Sequence, residues 1–372
     1  MKIIGIGLIA YLLYALQRRI YEKLWNKDLK VSVFFKQKEI AEGDSGEIIE
    51  VIENRKKLPL SMLKVKFQTS RYLQFADDPN SKSTDQFYRY DLFQIGGRQK
   101  ITRTLQFTGK KRGYYNIKNI DLLGSDIFLS CEFAKNMETN SYLYVYPKMY
   151  QSREFMNSLQ KLNGDIVVKR HMLEDPFELR GIRDYQPFDD IRSVNWKATA
   201  KTGDMKVNQK NYTAMQTVRI FLNVEDDGVL KKEEETEAAL QIVMGLTVFF
   251  LSQGIKVSCY SNAKDIITGE SICIEGGAGA GQRDVVGKAL ARIDLQKDPW
   301  SFCELFDHMI FSETSGITNI FVSANGFDDY IDLLQRCNDQ GIGYTWFYPY
   351  SYGGEPAVPD EIKAHVRYLF CR

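Results

Sequence analysis

The 372-residue sequence has no excess of positive or negative charge, and this balance limits the kinds of partner that it can be expected to bind. Lys and Arg total 49 against 48 Asp and Glu, which gives a formal net charge of +1. A protein dedicated to nucleic acid usually carries a strongly basic surface. The balance therefore argues against a nucleic-acid partner, while a hydrophobic content of 44% is enough for the cores of two or three domains.

Histidine is scarce and closely paired cysteines are absent, which bears on metal centres and on the redox compartment. The three histidines are scattered along the chain, and the six cysteines form no C-x-x-C pair. A structural zinc site needs four such ligands at close spacing. The sequence therefore excludes a zinc module. Cysteines among apolar neighbours, such as Cys259 and Cys273, favour reduced thiols in the cytosol.

No apolar run reaches the roughly 20 residues that a transmembrane helix normally needs. The two longest are the 14-residue runs Ile3–Leu16 and Ala238–Leu251. Aromatic and basic residues follow the first run, which is typical of a membrane interface with the basic side in the cytoplasm. We interpret it as a single-pass anchor in the cell membrane with cytoplasmic soluble domains. The alternative is an N-terminal helix docked on the soluble part. The second run lies between two predicted strands and is interpreted as a buried core helix.

Strand and helix patterns divide the chain into four parts. Residues 1–28 form the anchor and the juxtamembrane helix. About six short alternating strands predict an all-β, Ig-like sandwich over residues 29–150. Residues 151–214 form a charged connector. From 215 to 372 strands alternate with helices, which predicts a doubly wound α/β domain with one antiparallel edge strand and a last helix at about Pro359–Tyr368.

The connector interleaves arginines with carboxylates and single apolar residues, most densely over residues 177–201. Ten basic and eight acidic side chains fall between Lys161 and Lys210, so a groove for nucleic acid is not favoured. The mixture is typical of bidentate pairs between arginine and carboxylate. Two interpretations stay open: arginines that pin an extended arm onto the α/β domain, and a docking surface for another protein.

This segment resembles a bacterial family known only as domain of unknown function fifty-eight, whose members carry the run L-R-x-Y-x-x-G-D-x-x-R-x-I-[DN]-W-x-A-[ST]-A-[RK]. The matching residues here are Leu179-Arg180, Arg183, Tyr185, Asp189, Arg192, Asn195-Trp196, Ala198-Thr199-Ala200 and Lys201. Two positions depart from the family pattern: Phe188 replaces a turn glycine, and Lys201 replaces the usual final arginine. A second stretch, Arg112-Gly113-Tyr114 followed by residues 124–128, is similar to the family's region before the run. The sites expected for partner binding or structure are Arg180, Arg183, Tyr185, Asp189, Arg192, Asn195, Trp196 and Lys201.

The resemblance implies a C-terminal domain of the von Willebrand factor A type and a function. Relatives are associated with MoxR-type AAA+ ATPases, so we expect a membrane-anchored, non-enzymatic adaptor that works with such an ATPase in the assembly or remodelling of protein complexes. In that fold a D-x-S-x-S loop after the first strand holds a divalent metal. The corresponding positions are Asn223, Glu225 and Asp227. We expect this metal site to be lost and no cofactor to be bound. Binding of Mg²⁺ or Ca²⁺ by the acidic residues is the alternative.

A second hypothesis comes from a different class of protein. In a hydrolase or other anion-binding enzyme, Arg180, Arg183 and Arg192 would hold an anionic substrate and Asp189 would act as the base. This requires the arginines to converge on open space rather than on carboxylates.

Overall fold

In a computed structural model of the chain, the residues described are 2–75, 86–172, 179–187, 189–210, 217–226, 232–312, 316–351 and 357–371. They divide into two compact units, Met1–Lys148 and Met149–Arg372. The first unit is rich in β-strands and begins with an apolar helix. The second unit contains α/β elements.

Helix α1 spans Lys2–Leu24 and extends the apolar run by two further turns. Its 23 residues correspond to about 35 Å at 1.5 Å per residue, which exceeds the hydrocarbon thickness of a bilayer. Within this helix, Ile3–Leu24 is apolar enough to span a membrane, and its most apolar window is not buried against the rest of the chain. At its end, Tyr21 and the following Trp25 are buried in the core of the first unit. An apolar N-terminal helix of this kind serves either as a membrane anchor or as a signal sequence.

Among the described residues of the first unit, nine strands follow helix α1. They are β1 (Leu29–Phe35), β2 (Glu39–Ala41), β3 (Ser45–Asn54), β4 (Leu60–Ser70), β5 (Leu73–Phe75), β6 (Gln86–Ile95), β7 (Gln99–Gly109), β8 (Gly113–Ser125) and β9 (Glu132–Tyr146). They form one sheet of order β1-β3-β7-β5 and another of order β2-β9-β8-β4-β6. Alternate residues of both sheets share one hydrophobic core, as in a sandwich. All six predicted strands are present. Strands β2, β5 and β6 were not predicted.

The second unit begins with helix α2 (Arg153–Met172) and continues with strands and helices in alternation. The further helices are α3 (Trp196–Thr202), α4 (Glu233–Ser252), α5 (Gly279–Ala291), α6 (Phe302–Ser312), α7 (Asp328–Asp339) and α8 (Asp360–Lys363). The strands are β10 (Leu179–Asp184), β11 (Lys206–Lys210), β12 (Thr217–Asn223), β13 (Lys256–Ser261), β14 (Lys264–Asp265), β15 (Ile272–Gly277), β16 (Ile293–Asp294), β17 (Ile317–Ser323), β18 (Tyr344–Tyr350) and β19 (Val366–Phe370).

Six of these strands form one sheet of order β15-β13-β12-β17-β18-β19. All neighbours in it are parallel except β13 and β15, so the predicted antiparallel edge strand is confirmed. Helix α4 connects β12 to β13 and is largely buried, as predicted for the second apolar run. The predicted helix at Pro359–Tyr368 is wrong beyond Lys363, because residues 366–370 pair with β18. This stretch, V-R-Y-L-F, is rich in residues with high strand propensity.

Helices cover both faces of this sheet. On one face the Phe221 ring stacks between Tyr260 and Phe321 and touches Phe306 of α6. On the other face Phe155 of α2 meets Phe347 of β18 edge to face. The arrangement directs the carboxyl ends of four neighbouring parallel strands, β13, β12, β17 and β18, to a common edge, which is where α/β sheets bind ligands.

Candidate functional site

The segment that resembles the family motif folds as a small hairpin of its own. Strands β10 and β11 pair antiparallel, and the residues between them form the single 3-10 turn Ile191–Ser193 and helix α3. Residues 179–210 are called the motif hairpin below. Residue 188 and the side chain of Arg180 lie outside the described part of the chain. The structure therefore does not test the departure from the family pattern at Phe188.

An ion pair between Arg183 and Asp189 closes the turn that follows β10. The two guanidinium nitrogens of Arg183 donate to the two carboxylate oxygens of Asp189 at 2.7 and 2.6 Å. The backbone N–H of Gln186 donates to Asp189 as well, at 2.8 Å. The hydrogen bonds from Arg183 hold the pKa of Asp189 below its usual value. A carboxylate engaged in this way is a poor general base, because it has little affinity for a proton.

Polar side chains of the motif fasten helix α3 to β11. Asn195 caps the helix by accepting the N–H of Ala198 at 2.9 Å, and its amide donates to Asn208 on β11 at 2.7 Å. The hydroxyl of Thr199 accepts the N–H of Lys206 at 3.0 Å. These contacts give Asn195, just before Trp196, and Thr199, three positions after it, a structural role in the hairpin.

The same hairpin leaves large apolar side chains in solvent. Trp196, Ile191 and Ile182 are 64%, 65% and 54% exposed. Arg192 and Lys201, in the same hairpin, are exposed as well. Tyr185 is half-buried, and its N–H donates to the carbonyl of Met205 at 2.9 Å. Large aromatic and aliphatic side chains that are exposed to solvent are typical of surfaces that bind other proteins.

A second cluster lies at the carboxyl end of the α/β sheet, where the degenerate metal loop was predicted. The amide oxygen of Asn223 accepts the N–H of Glu225 at 2.9 Å and the amide of Asn262 at 3.0 Å. One carboxylate oxygen of Glu225 accepts the N–H of Phe302, at the start of α6, at 3.0 Å. The amide of Asn325 donates to the carbonyl of Glu225. Asp227 lies outside the described residues.

These residues do not fit a divalent-cation site like the one that von Willebrand factor A domains carry. The oxygens of Asn223 and Glu225 already accept N–H donors, and the amides of Asn262 and Asn325 point donors into the cluster. A hard cation needs oxygen ligands turned toward it. Over the described residues, moreover, no group of three or more His, Cys, Asp or Glu side chains is placed to hold a metal ion.

Sequence reasoning missed three members of this cluster: Asn262, Asn325 and Ser323, whose hydroxyl accepts the N–H of Asn325 at 3.2 Å. Each is a polar residue at or just after the end of an apolar strand, and each is buried. The signal was therefore present in the sequence. Because parallel strands bring their carboxyl ends to one edge, polar residues at those ends meet even when they are far apart in the chain.

We predict that the purified protein binds no Mg²⁺, Mn²⁺ or Ca²⁺ with a dissociation constant below about 1 mM. The reason is the set of hydrogen bonds that occupies the oxygens of Asn223 and Glu225. Isothermal titration calorimetry on the full chain measures this directly. A saturable heat that disappears in Glu225→Gln would contradict the prediction.

Comparison with known proteins identifies no family for this chain and finds only distant similarity to solved structures. No family model matches the sequence, and no curated protein matches it. Among solved structures, the CARDB domain of a Pyrococcus furiosus protein, in complex with di-metal ions, is 14% identical, with a TM-score of 0.22 over 32% of this chain and 92% of that one. A conjugative transposon lipoprotein from Bacteroides eggerthii is 13% identical, with a TM-score of 0.19 over 31% of this chain and 99% of that one. The sporulation control protein Spo0M from Bacillus subtilis is 10% identical, with a TM-score of 0.18 over 43% of this chain and 58% of that one. Likeness at this level assigns no function.

Proposed function

We propose that this protein is a membrane-anchored, non-enzymatic adaptor whose motif hairpin docks a MoxR-type AAA+ ATPase. The observation that carries the proposal is the construction of the hairpin. Internal pairs such as Arg183–Asp189 and Asn195–Asn208 hold its backbone, while Trp196, Ile191 and Ile182 stay exposed. A preorganised surface of this kind binds a partner with a small loss of conformational entropy.

The strand order of the α/β unit supports the assignment of a von Willebrand factor A-like fold. When the six strands of the main sheet are numbered in chain order, their spatial order is 3-2-1-4-5-6, with the third strand antiparallel. The first strand is β12, and the loop after it is where that fold carries its metal centre. In this chain Asn223 and Glu225, among the described residues there, accept amide hydrogen bonds, which favours binding through a protein surface over metal-dependent adhesion or catalysis.

Helix α1 supports a single-pass anchor in the cell membrane with the remainder of the chain in the cytoplasm. Its first 16 residues are almost entirely apolar, and Arg18, Arg19, Lys23 and Lys27 follow. Basic residues beside a membrane helix stay on the cytoplasmic side. The anchor would keep the motif hairpin near membrane-bound complexes on which an ATPase acts.

The alternative, a hydrolase or anion-binding enzyme built on the arginines, has weaker support. Arg183 faces a carboxylate rather than open space, and that carboxylate is Asp189, the residue that would have to serve as the base. Neither group is then available for substrate.

Affinity purification tests the proposal. We expect the tagged full-length chain, isolated from detergent-solubilised membranes at low and moderate salt, to retain a MoxR-type AAA+ ATPase. Trp196→Ala removes an exposed aromatic anchor and is expected to lower recovery of the ATPase at least about tenfold, since hot-spot aromatics contribute about 2 kcal/mol or more. Trp300→Ala is the matched control, because Trp300 is 47% exposed and lies outside the hairpin. Absence of any stable protein partner would contradict the proposal.

A further inference from the structure

The turn between β8 and β9 carries three consecutive large apolar side chains in solvent. Ile127, Phe128 and Leu129 are 50%, 65% and 56% exposed. Side chains of this size at the tip of a tight turn contribute nothing to the sandwich core and are costly to leave in water. The residues 127–129 are called the apolar tip below.

Buried hydrogen bonds hold the apolar tip in one conformation. Asp126 is fully buried and accepts the N–H of Ser130 at 2.7 Å, the hydroxyl of Ser130 at 2.6 Å and the side-chain amide of Gln17 at 2.8 Å. Burial alone would raise the pKa of Asp126, but these hydrogen bonds keep it below its usual value, so the carboxylate stays ionised. Leu129 adopts a left-handed backbone with φ of 56°, an uncommon conformation for a leucine. The turn is therefore built to project its side chains outward.

The apolar tip lies directly beside the apolar part of helix α1. The hydroxyl of Tyr14 donates to Ser130 at 2.8 Å, and the Tyr14 and Phe128 rings are 6.2 Å apart. Gln17, one turn further along the helix, donates to Asp126. The contact thus falls at the end of the run Ile3–Leu16, where exposed apolar residues on the helix give way to polar and basic ones.

We infer that the apolar tip is a second membrane contact, which inserts into the interfacial layer of the same bilayer that holds helix α1. The inference rests on the membrane anchoring in the proposed function. Its occupant is lipid rather than protein, because the tip is continuous with a helix face that itself needs lipid. The 14-residue run covers only about 21 Å, less than the roughly 30 Å of a hydrocarbon core. Apolar side chains beside the end of this short run extend the apolar surface that the bilayer contacts, as interfacial aromatic residues do elsewhere.

Site-specific photo-crosslinking to lipid tests the inference on the full-length chain in vesicles of phosphatidylcholine with a minor fraction of phosphatidylglycerol. A benzoylphenylalanine replaces Phe128 in the tip, Leu12 in the helix or Lys110 at the opposite end of β8. Strand β8 has 13 residues, so Lys110 lies about 40 Å from the tip along the strand direction. All three positions are exposed, so the fold should tolerate the label. Lipid adducts are counted by mass spectrometry after irradiation.

We expect lipid adducts at Phe128 and Leu12 and at least about tenfold fewer at Lys110, because only the first two lie at the depth of the bilayer. Adducts at Leu12 but not at Phe128 would overturn the inference and leave the anchor intact. Absence of adducts at both positions would overturn the inference together with the membrane anchoring in the proposed function.

Discussion

Replacement of Phe221 by alanine is expected to lower the free energy of unfolding of the α/β unit by about 3–5 kcal/mol. Phe221 is fully buried in the middle of β12, and its ring lies between those of Tyr260 and Phe321 at centroid distances of 5.4 and 5.3 Å. The cavity would open among rings from β13, β17 and α6, which cannot collapse without moving the sheet. The same strand ends at Asn223, so the cluster at the carboxyl end should loosen as well.

Denaturant unfolding followed by tryptophan fluorescence measures this effect, since three of the four tryptophans lie in the second unit. The midpoint of thermal unfolding should fall by about 10 °C, given about 2–4 °C per kcal/mol for a unit of this size. Phe370→Ala is the control: Phe370 is 38% exposed on the edge strand β19, and its loss should cost about 1 kcal/mol or less. Equal losses in the two variants would mean that the aromatic cluster is not packed as described.

A buried carboxyl group should make the stability of the first unit depend on pH. Glu50 is fully buried on β3. Burial, reinforced by the neighbouring charge of Asp91, raises the pKa of Glu50 to about 8. Asp91 itself pairs with Arg89 at 3.0 Å and Arg103 at 2.8 Å. The proton in this cluster therefore lies on Glu50.

The sign of the effect follows from the raised pKa. Between the ordinary value near 4.5 and about 8 the folded state holds a proton that the unfolded state releases, so stability falls as the pH rises. The full stability is present below pH 4.5. At about 1.4 kcal/mol for each pH unit, the loss between pH 5 and pH 8 is on the order of 4 kcal/mol. Glu50→Gln should remove this slope, because the amide carries no charge at any pH.

Hydrogen exchange of the β3 amides, corrected for the intrinsic pH dependence of exchange, measures the stability of this unit from pH 5 to pH 8. All three histidines fall after residue 148, so none of them titrates within this unit. Lys56, whose pKa burial lowers to about 8, changes stability mainly above that pH. Glu53→Gln, at a half-buried position on the opposite face of the same strand, is the control and should keep the wild-type slope. If the stability of Glu50→Gln depended on pH as steeply as that of the wild type, the account would be contradicted.

Hydrophobic patterns predicted the strands whose apolar side chains face the core. They missed β6, in which charged side chains face the core and apolar ones face solvent. Strand β1 alternates buried and exposed residues as expected for a sandwich. In β6 the charged Arg89 and Asp91 face the interior, while Tyr90 and Leu92 are exposed. No rule based on hydrophobic alternation finds such a strand, because its buried charges are stabilised by each other and by Arg103 of β7.

The candidate site was predictable in kind but not in detail. The mixture of arginine and carboxylate in the connector indicated ion pairs, and the structure pairs Arg183 with Asp189. Sequence alone could not choose Asp189 over Asp184 or Asp190, because the choice depends on the geometry of the turn. Similarly, Asn223 and Asn325 are about a hundred positions apart, and only the parallel sheet brings them into one cluster.

The most direct test of the proposed adaptor function is the affinity of the chain for the ATPase. The full-length chain in lipid nanodiscs would be titrated with the purified MoxR-type AAA+ ATPase of the same organism, with and without a non-hydrolysable ATP analogue. The account predicts saturable binding that weakens at least about tenfold in Trp196→Ala and stays unchanged in Trp300→Ala. Absence of binding in either nucleotide state, or equal affinity for Trp196→Ala and the wild type, would contradict it.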